Sequence, residues 1–335
     1  MAQIVSIELL DFIKKGKKFL IAGHKEPDGD CVGSQIVLAS VLRKMGKEVI
    51  LCSAGPFKHT EVKPYERLFV PAPEEKDREG AWAILIDCSG LDRTGSLEPF
   101  LEGLPLAVID HHKAGKYSPV EQRLPAEFPP DRLVYADAHS PSATLLIYEI
   151  VKALGEPLSR EEAELLFLGL GTDTGFFRYV GKDGAEAFEA AAGLVRSGAD
   201  PRAAYSAING GKSLDSRRLL GSILTRAEAL FGGKLIYSYE EYEDILRFGP
   251  ESRDSDALYQ LLQSIAGVEA IVVIRQETPE RCTIGFRSRD CVDVGAIAAA
   301  FGGGGHKNAA GLSISGSISE LKPKILKAFE AVFNL

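Results

Sequence analysis

The sequence predicts an α/β protein: a mostly parallel, doubly wound sheet domain over residues 1–205, a helical linker over 206–232 and a second, smaller α/β domain over 233–335. Three observations carry that prediction. Up to about residue 190, short apolar runs alternate with helical patterns, as expected for a parallel sheet with helices on its faces. After Gly232-Gly233 a strand–helix pattern starts again. A length of 335 residues accommodates two domains at about 150 residues each.

Taken in order, "KFLIAG", "EVILCSAG", "AWAILIDCSG" and "PLAVIDHH" read as strands. "SQIVLASVLRKMG" and "SATLLIYEIVKALG" read as helices. Ser159-Arg160-Glu161-Glu162 is a capping-box pattern that opens a further helix, "EEAELLFLGLG". The long helical pattern "SLDSRRLLGSILTRAEALF" ends at Gly232-Gly233 and is expected to connect the domains. Beyond it come a strand "KLIYSYEEY", a helix "DALYQLLQSIAG", strands "EAIVVIRQ" and "RCTIGFRSR", and a helix "VGAIAAAF". A Gly-rich loop "GGGGHKNAAG", a strand "LSISG" and a last helix "ELKPKILKAFEAVF" complete the chain.

Composition narrows the function. Apolar residues make up 45% and charged residues 26%, the ordinary soluble range. A net charge of −8 argues against a protein that grips long nucleic acid, yet a short anionic substrate needs only a local basic pocket. The five cysteines form no C-x₂-C pair and no even disulfide set, so reduced thiols in a cytoplasm are expected. The N-terminal stretch carries Glu8 and Asp11 among its apolar residues and fails as a signal segment. No run approaches the ~20 apolar residues of a membrane span.

Acids and histidines gather at one kind of position. His24 follows "FLIAG", Asp87 ends "AILID", and Asp110 ends "LAVID" ahead of His111 and His112. Asp28 and Asp30 lie in the turn "HKEPDGD", and Asp173 lies in "GLGTDTG". Residues just past parallel strands sit at the sheet edge where open α/β sheets bind ligands. Asp87 alone would read as a helix cap or a turn residue. Together these groups repel one another unless cations compensate them. Carboxylates and imidazoles without thiolates favour Mn²⁺ or Mg²⁺, with zinc a workable alternative. Cys31 and Cys88 adjoin this set and read as small buried apolar groups. Six to eight ligands suit two ions about 3.5–4 Å apart that share a carboxylate, with the His-x₃-Asp-x-Asp turn divided between them.

"HKEPDGD", "LIDCSG", "VIDHH" and "GTDTG" resemble the four motifs of the DHH phosphoesterases. "FRSR" followed by "DVGAIAAAFGGGGHKNAAG" resembles their DHH-associated C-terminal domain. The resemblance spans nearly the whole chain and is nearest to the bacterial bifunctional oligoribonucleases (nanoRNases) and pAp phosphatases. It implies that His24, Asp28 and Asp87 hold one ion, and that Asp30, Asp87, His111 and Asp173 hold the other, with Asp87 bridging. It also implies that His112 faces the scissile phosphate with Asp110 in support. The cofactors expected are two divalent ions, Mn²⁺ foremost and Mg²⁺ as the alternative.

In the second domain the glycine run alone would be a helix C-cap and turn. His306 after Gly303, Gly304 and Gly305 makes it a candidate phosphate-binding loop, because glycine lets backbone N–H groups approach a phosphate. Arg287 and Arg289, two apart on a strand, share a face, and Arg matches phosphate oxygens. A substrate is therefore expected to span a cleft between the domains. The leading reading is hydrolysis of very short oligonucleotides or of 3′-phosphoadenosine 5′-phosphate (pAp). A cyclic or linear dinucleotide phosphodiesterase is the alternative, and the missing sensor and membrane segments argue against its membrane-bound form. A pyrophosphatase fits poorly with the glycine-rich second domain, and a processive single-strand exonuclease calls for more chain and a more basic groove. A nucleotide sensor without catalysis should have lost ligands, and none is lost. Expected partners are short RNA or DNA or small nucleotides, with no membrane, and nothing in the sequence excludes a homo-oligomer.

Overall fold

A computed structural model describes residues 5–112, 132–289 and 291–333. The chain forms two compact units, Met1–Gly211 and Lys212–Leu335.

The first unit contains α1 (Ile7–Lys15), β1 (Lys18–Ala22), α2 (Gly29–Lys44), β2 (Glu48–Cys52), α3 (Glu75–Arg78), β3 (Ala81–Ile86), α4 (Glu98–Leu101), β4 (Leu106–Asp110) and β5 (Arg132–Ala136). The helices α5 (Ala143–Leu154), α6 (Arg160–Asp173), α7 (Ala185–Arg196) and α8 (Pro201–Asn209) follow. The strands form one parallel sheet in the order β2-β1-β3-β4-β5. The near-continuous apolar runs of β1, β3 and β4 are explained by burial on both faces. Phe19, Ile21, Ile84, Ile86 and Ile109 point into one core with Val37, Ile147 and Leu166 from α2, α5 and α6. Leu20, Ala22, Ala83, Leu85 and Val108 point the other way, onto a thinner layer that includes Leu97 and Leu101. The doubly wound parallel sheet expected from the alternation is therefore present. The edge strand β5 was not among the four strands read from the sequence. Only Tyr135 of its five residues is buried, so its apolar signal is weak.

Helices α2, α5 and α6 approach closely through glycine. A Cβ on Gly33 of α2 would lie 2.7 Å from the Leu165 carbonyl oxygen of α6. A Cβ on Gly169 of α6 would lie 2.4 Å from Thr144 Cγ2 of α5 and 3.0 Å from Asp30 Cα of α2. The capping box at Ser159 is formed: Ser159 Oγ accepts from Glu162 N, and Glu162 Oε2 accepts from Ser159 N.

The second unit contains α9 (Leu214–Thr225), β6 (Glu228–Leu230), β7 (Leu235–Glu240), α10 (Tyr242–Phe248), α11 (Ser255–Gln263), β8 (Ala270–Thr278), β9 (Arg281–Ser288), α12 (Val294–Ala300), β10 (Gly304–His306), β11 (Ala309–Ser315) and α13 (Ile318–Phe333). Its mixed sheet runs β10-β11-β9-β8-β7-β6, with only β7 and β8 parallel. One face packs on Val294, Ile325 and Phe329 of α12 and α13. The other packs on Leu219, Ile223 and Leu258 of α9 and α11.

Two readings change here. The helical pattern over 213–231, expected as a connector, is helical only to Thr225, and Glu228–Leu230 pairs with β7 instead. Arg226 follows the helix and ion-pairs with Glu241 and Asp244, and Leu219 and Ile223 are buried in this unit's core. The glycine-rich segment is not all loop: Gly304–His306 forms β10 against Ala309–Gly311. Gly305 has φ +146 and passes so close to β11 that a Cβ would fall 2.5 Å from the Ala309 oxygen, a fit open only to glycine.

Candidate metal centre

The sheet order places the site. The chain leaves β1 toward β2 on one side and passes from β3 to β4 on the other. The loops after β1 and β3 therefore diverge and open a crevice at the strands' C-terminal ends. His24 lies two residues past β1, Asp87 directly follows β3, and Asp110 ends β4 ahead of His111 and His112. Asp28 and Asp30 open α2, and Asp173 ends α6.

Four of these side chains are oriented by hydrogen bonds. Asp28 caps α2, accepting from Asp30 N (3.0 Å) and Cys31 N (3.1 Å). Asp30 is fully buried and is held by the start of α5: Ala143 N donates to Oδ2 (2.6 Å), and Thr144 N (2.8 Å) and Oγ1 (2.6 Å) donate to Oδ1. Asp87 takes φ +60, a left-handed conformation that costs a non-glycine residue about 1–3 kcal/mol. His24 Nδ1 donates to the Lys25 carbonyl (2.9 Å), which leaves Nε2 to face Asp87. His112 Nδ1 donates to Asp110 Oδ1 (2.7 Å), so its Nε2 is free on a half-exposed ring.

These groups converge on Asp87. His24 Nε2 lies 3.4 Å from Asp87 Oδ2, and His111 Nε2 lies 3.2 Å from Asp87 Oδ1, 3.1 Å from Asp173 Oδ2 and 3.7 Å from Asp30 Oδ2. Three donor sets result: His24, Cys31 and Asp87; Asp87, His111 and His112; and Asp30, His111 and Asp173. Asp28 belongs to none of the three. Its burial, followed by the charges of Asp87 and Asp173, raises its pKa. Cys31 is fully buried, as its reading as a small buried group expects, and its sulfur also stands in the His24–Asp87 set. The sequence held one signal for this, its place one turn into α2 directly after two acids.

The electrostatics show a site short of positive charge. Burial works against charge on His24, yet Asp87 and Cys31 outweigh it and push its pKa up to about 12. Burial also opposes charge on His111, and Asp173 and Asp87 still raise it to about 11. Burial would raise Asp87, but His111 and His24 hold it down at about 2. Asp30 is pushed well up, first by burial and then by the charges of Asp87 and Asp173. Protons on the two imidazoles thus stand where divalent cations would neutralise the acids.

The residues fit such cations on a direct observation. Asp87 Oδ1 and His111 Nε2 are buried and make no hydrogen bond, although they lie 3.2 Å apart. Buried polar atoms are rarely left so unless another partner belongs there. Oxygen and imidazole nitrogen donors suit divalent ions.

In the second unit, Arg287 near the end of β9 and Arg289, one residue past it, both reach α11. The Arg287 guanidinium sits 4.5 Å from the centroid of the Tyr259 ring, and Arg289 Nη2 donates to the Gln263 carbonyl (2.7 Å) at the end of α11. The register pairs His306 with Ala309 and Ala309 with Arg287. Directly opposed residues project to one face, so His306 and Arg287 point the same way, two strands or roughly 10 Å apart. Beside them Gly304, Gly311 and Gly285 stand in register, but the Tyr259 hydroxyl covers Gly285, where a Cβ would fall 2.0 Å from it. A Cβ at Gly304 would meet nothing within 4 Å, whereas one at Gly303 would strike Leu312. Gly302 and Gly304 are thus the open members of the run, and Gly303 and Gly305 serve close packing.

Comparison with known proteins agrees with this geometry. The DHH family N-terminal domain matches residues 18–170, and the DHHA1 domain matches residues 232–335. The bifunctional oligoribonuclease and PAP phosphatase NrnA of Thermus thermophilus is 28% identical over 309 residues, covering 92% of this chain and 88% of that protein. Its Bacillus subtilis namesake is 26% identical over 314 residues, covering 92% of each. The cyclic-di-AMP phosphodiesterase GdpP of Bacillus subtilis is 26% identical over 355 residues, covering 99% of this chain but 50% of that protein. An exopolyphosphatase-related protein from Bacteroides fragilis shares the fold, with a TM-score of 0.79 at 21% identity over 98% of this chain and 97% of that one. The crevice of acids and imidazoles, the two matched domains and the full-length relatives lead to one conclusion: the chain belongs to the DHH family, a phosphoesterase and hydrolase with an N-terminal DHH domain and a C-terminal DHHA1 domain.

Proposed function

We propose that this phosphoesterase hydrolyses very short oligonucleotides (nanoRNA) and the phosphomonoester of pAp, using two divalent cations, Mn²⁺ foremost and Mg²⁺ as the alternative. The observation that carries the reading is the convergence of three donor sets on Asp87 and His111, whose facing atoms are buried without hydrogen bonds. His24, Asp28 and Asp87 would hold one ion, and Asp30, Asp87, His111 and Asp173 the other, with Asp87 shared. Bound there, the ions would supply charge neutralisation for the phosphate and a more acidic water.

The chain's own groups do the rest. Asp110 fixes the His112 ring through Nδ1 and raises its pKa, so that Nε2 is a proton-bearing group free to meet a phosphate oxygen. Asp30 holds its orientation through α5. Arg287, Arg289, Gly303, Gly304, Gly305 and His306 would bind the nucleotide, with the open Gly304 letting a phosphate or base lie against the backbone. The net charge of −8 provides no extended basic track, which favours short substrates over long strands.

The likeness to the cyclic-di-AMP phosphodiesterase over 99% of this chain favours a second reading, cleavage of cyclic di-AMP or its linear product. The chain spans half of that relative's length. All five cysteines are free, and no helix among the described residues is long and apolar enough to cross a membrane. Both agree with a cytoplasmic enzyme. The test is a turnover panel of pAp, a dinucleotide, a 5-mer, a 20-mer, cyclic di-AMP and pyrophosphate, each with Mn²⁺ and with EDTA. The proposal expects pAp and the shortest RNAs to lead. Cyclic di-AMP in the lead favours the second reading, and equal rates on 2-mer and 20-mer refute the preference for short chains.

A further inference from the structure

Cys31 is fully buried in the first turn of α2, and its sulfur is aimed at the metal crevice. Cys31 Sγ, a His24 ring nitrogen and an Asp87 carboxylate oxygen all lie within 4.8 Å of one another. Gly23 is what allows this: a Cβ there would fall 2.2 Å from Sγ. One turn further along α2, buried Gln35 donates Nε2 to Sγ at 3.2 Å, so the sulfur already acts as a hydrogen-bond acceptor. Asp87 faces His24 through Oδ2 at 3.4 Å, and its other oxygen, Oδ1, which faces His111, is buried without a hydrogen-bond partner, so this shared carboxylate is short of a cation. A sulfur that only filled space would need neither an amide donor aimed at it nor two metal-binding groups beside it.

We propose that Cys31 is a metal ligand, completing a His24–Asp87–Cys31 donor set that gives one of the two ion positions a preference for thiophilic divalent ions such as Zn²⁺, Co²⁺ or Fe²⁺. This rests on the two-cation reading above and deepens it. Sulfur is a soft donor and selects such ions over Mn²⁺ and Mg²⁺, which favour oxygen. Nitrogen and sulfur donors around a tetrahedral zinc are roughly 3.5 Å apart, so a set whose atoms lie within 4.8 Å needs a contraction of at most about 1.3 Å. On binding, the cation takes the sulfur lone pair and the thiol proton leaves to solvent. Gln35 then steadies the thiolate from the far side.

The experiment is Co²⁺ titration of the full chain in a Cys291→Ser background, which removes the exposed thiol. The parent is compared with Cys31→Ala and Cys31→Ser, and folding is checked by melting of the metal-free proteins. The expected result is a near-ultraviolet sulfur-to-cobalt charge-transfer band in the parent. That band should be lost in both variants, while visible ligand-field bands from the other donors persist. Zn²⁺ binding should weaken at least about tenfold in Cys31→Ala, the scale on which metal-site residues act, with Mn²⁺ binding much less affected. Where Cys31→Ala does not fold, Cys31→Ser is read in its place. Cobalt bound without a charge-transfer band in the parent, or a band that survives both substitutions, overturns the proposal and leaves the two-cation reading standing. No cobalt binding in any protein overturns both.

Discussion

Asp110→Asn is the sharpest test of the proposed role of His112. Asp110 is 2% exposed, and its Oδ1 accepts both the His112 ring Nδ1 at 2.7 Å and the His112 backbone N at 3.2 Å. Asparagine keeps the shape and can still accept a hydrogen bond, but it removes the charge. A hydrogen bond to a charged group contributes about 1.5–3 kcal/mol. The His112 side chain is 50% exposed, so water competes and the lower end applies. A loss of about 1.5 kcal/mol in the transition state is roughly tenfold in kcat. The pH profile carries a second signature. The Asp110 hydrogen bond is the largest influence on His112 and raises its pKa, so removing the charge moves the His112 limb of the profile to lower pH. The assay is kcat against pH on pAp with Mn²⁺, alongside metal content by elemental analysis. Metal content should stay at the parent level. A variant that loses metal in step with activity would make Asp110 a determinant of the metal site, and an unmoved pH profile with unchanged kcat would remove His112 from the chemistry.

Asp87→Asn should lose both ions and nearly all turnover together, because one carboxylate faces His24, His111 and His112; parent-level turnover with full metal content would end the shared-ligand scheme. Arg287→Ala and His306→Ala should keep their metal but cleave a dinucleotide at least about tenfold more slowly, the loss of about one charge-assisted contact. Rates on 2-mer, 5-mer and 20-mer RNA check this, and unchanged 2-mer rates would take the second unit out of substrate recognition. Gly33→Ala should lower stability in urea by about 1–2 kcal/mol. A Cβ there would lie 2.7 Å from the Leu165 carbonyl oxygen, and the cost of parting the helices exceeds the ~1 kcal/mol gained from alanine's helix preference; an unchanged or higher urea midpoint would contradict the close α2–α6 contact.

The sequence by itself determined much of the architecture and the chemistry of the crevice. Strands of a parallel sheet are buried on both faces, so their apolar runs stand out, and the residue that ends each run marks the ligand-binding edge. His24, Asp87 and Asp110 were legible for that reason. The helix starts at Asp28 and Ser159 were also local matters of capping, although the sequence reading gave Asp28 only a metal role. Weak local signals were misread. β5 is mostly half-buried, Glu228–Leu230 continues a helical pattern until β7 pairs with it, and Gly304–His306 becomes a strand only against β11. Tertiary structure alone decided which groups meet. Asp30 takes its bonds from Ala143 and Thr144, more than a hundred residues away, and Asp173 reaches His111 because α6 packs on α2 through Gly33 and Gly169. Cys31 is buried as its small size suggests, but only the fold shows that Gly23, by lacking a side chain, leaves its sulfur beside His24. Such meetings depend on sheet order and on helix approach to within tenths of an ångström, quantities set by the packing of the whole unit and carried by no single stretch of chain.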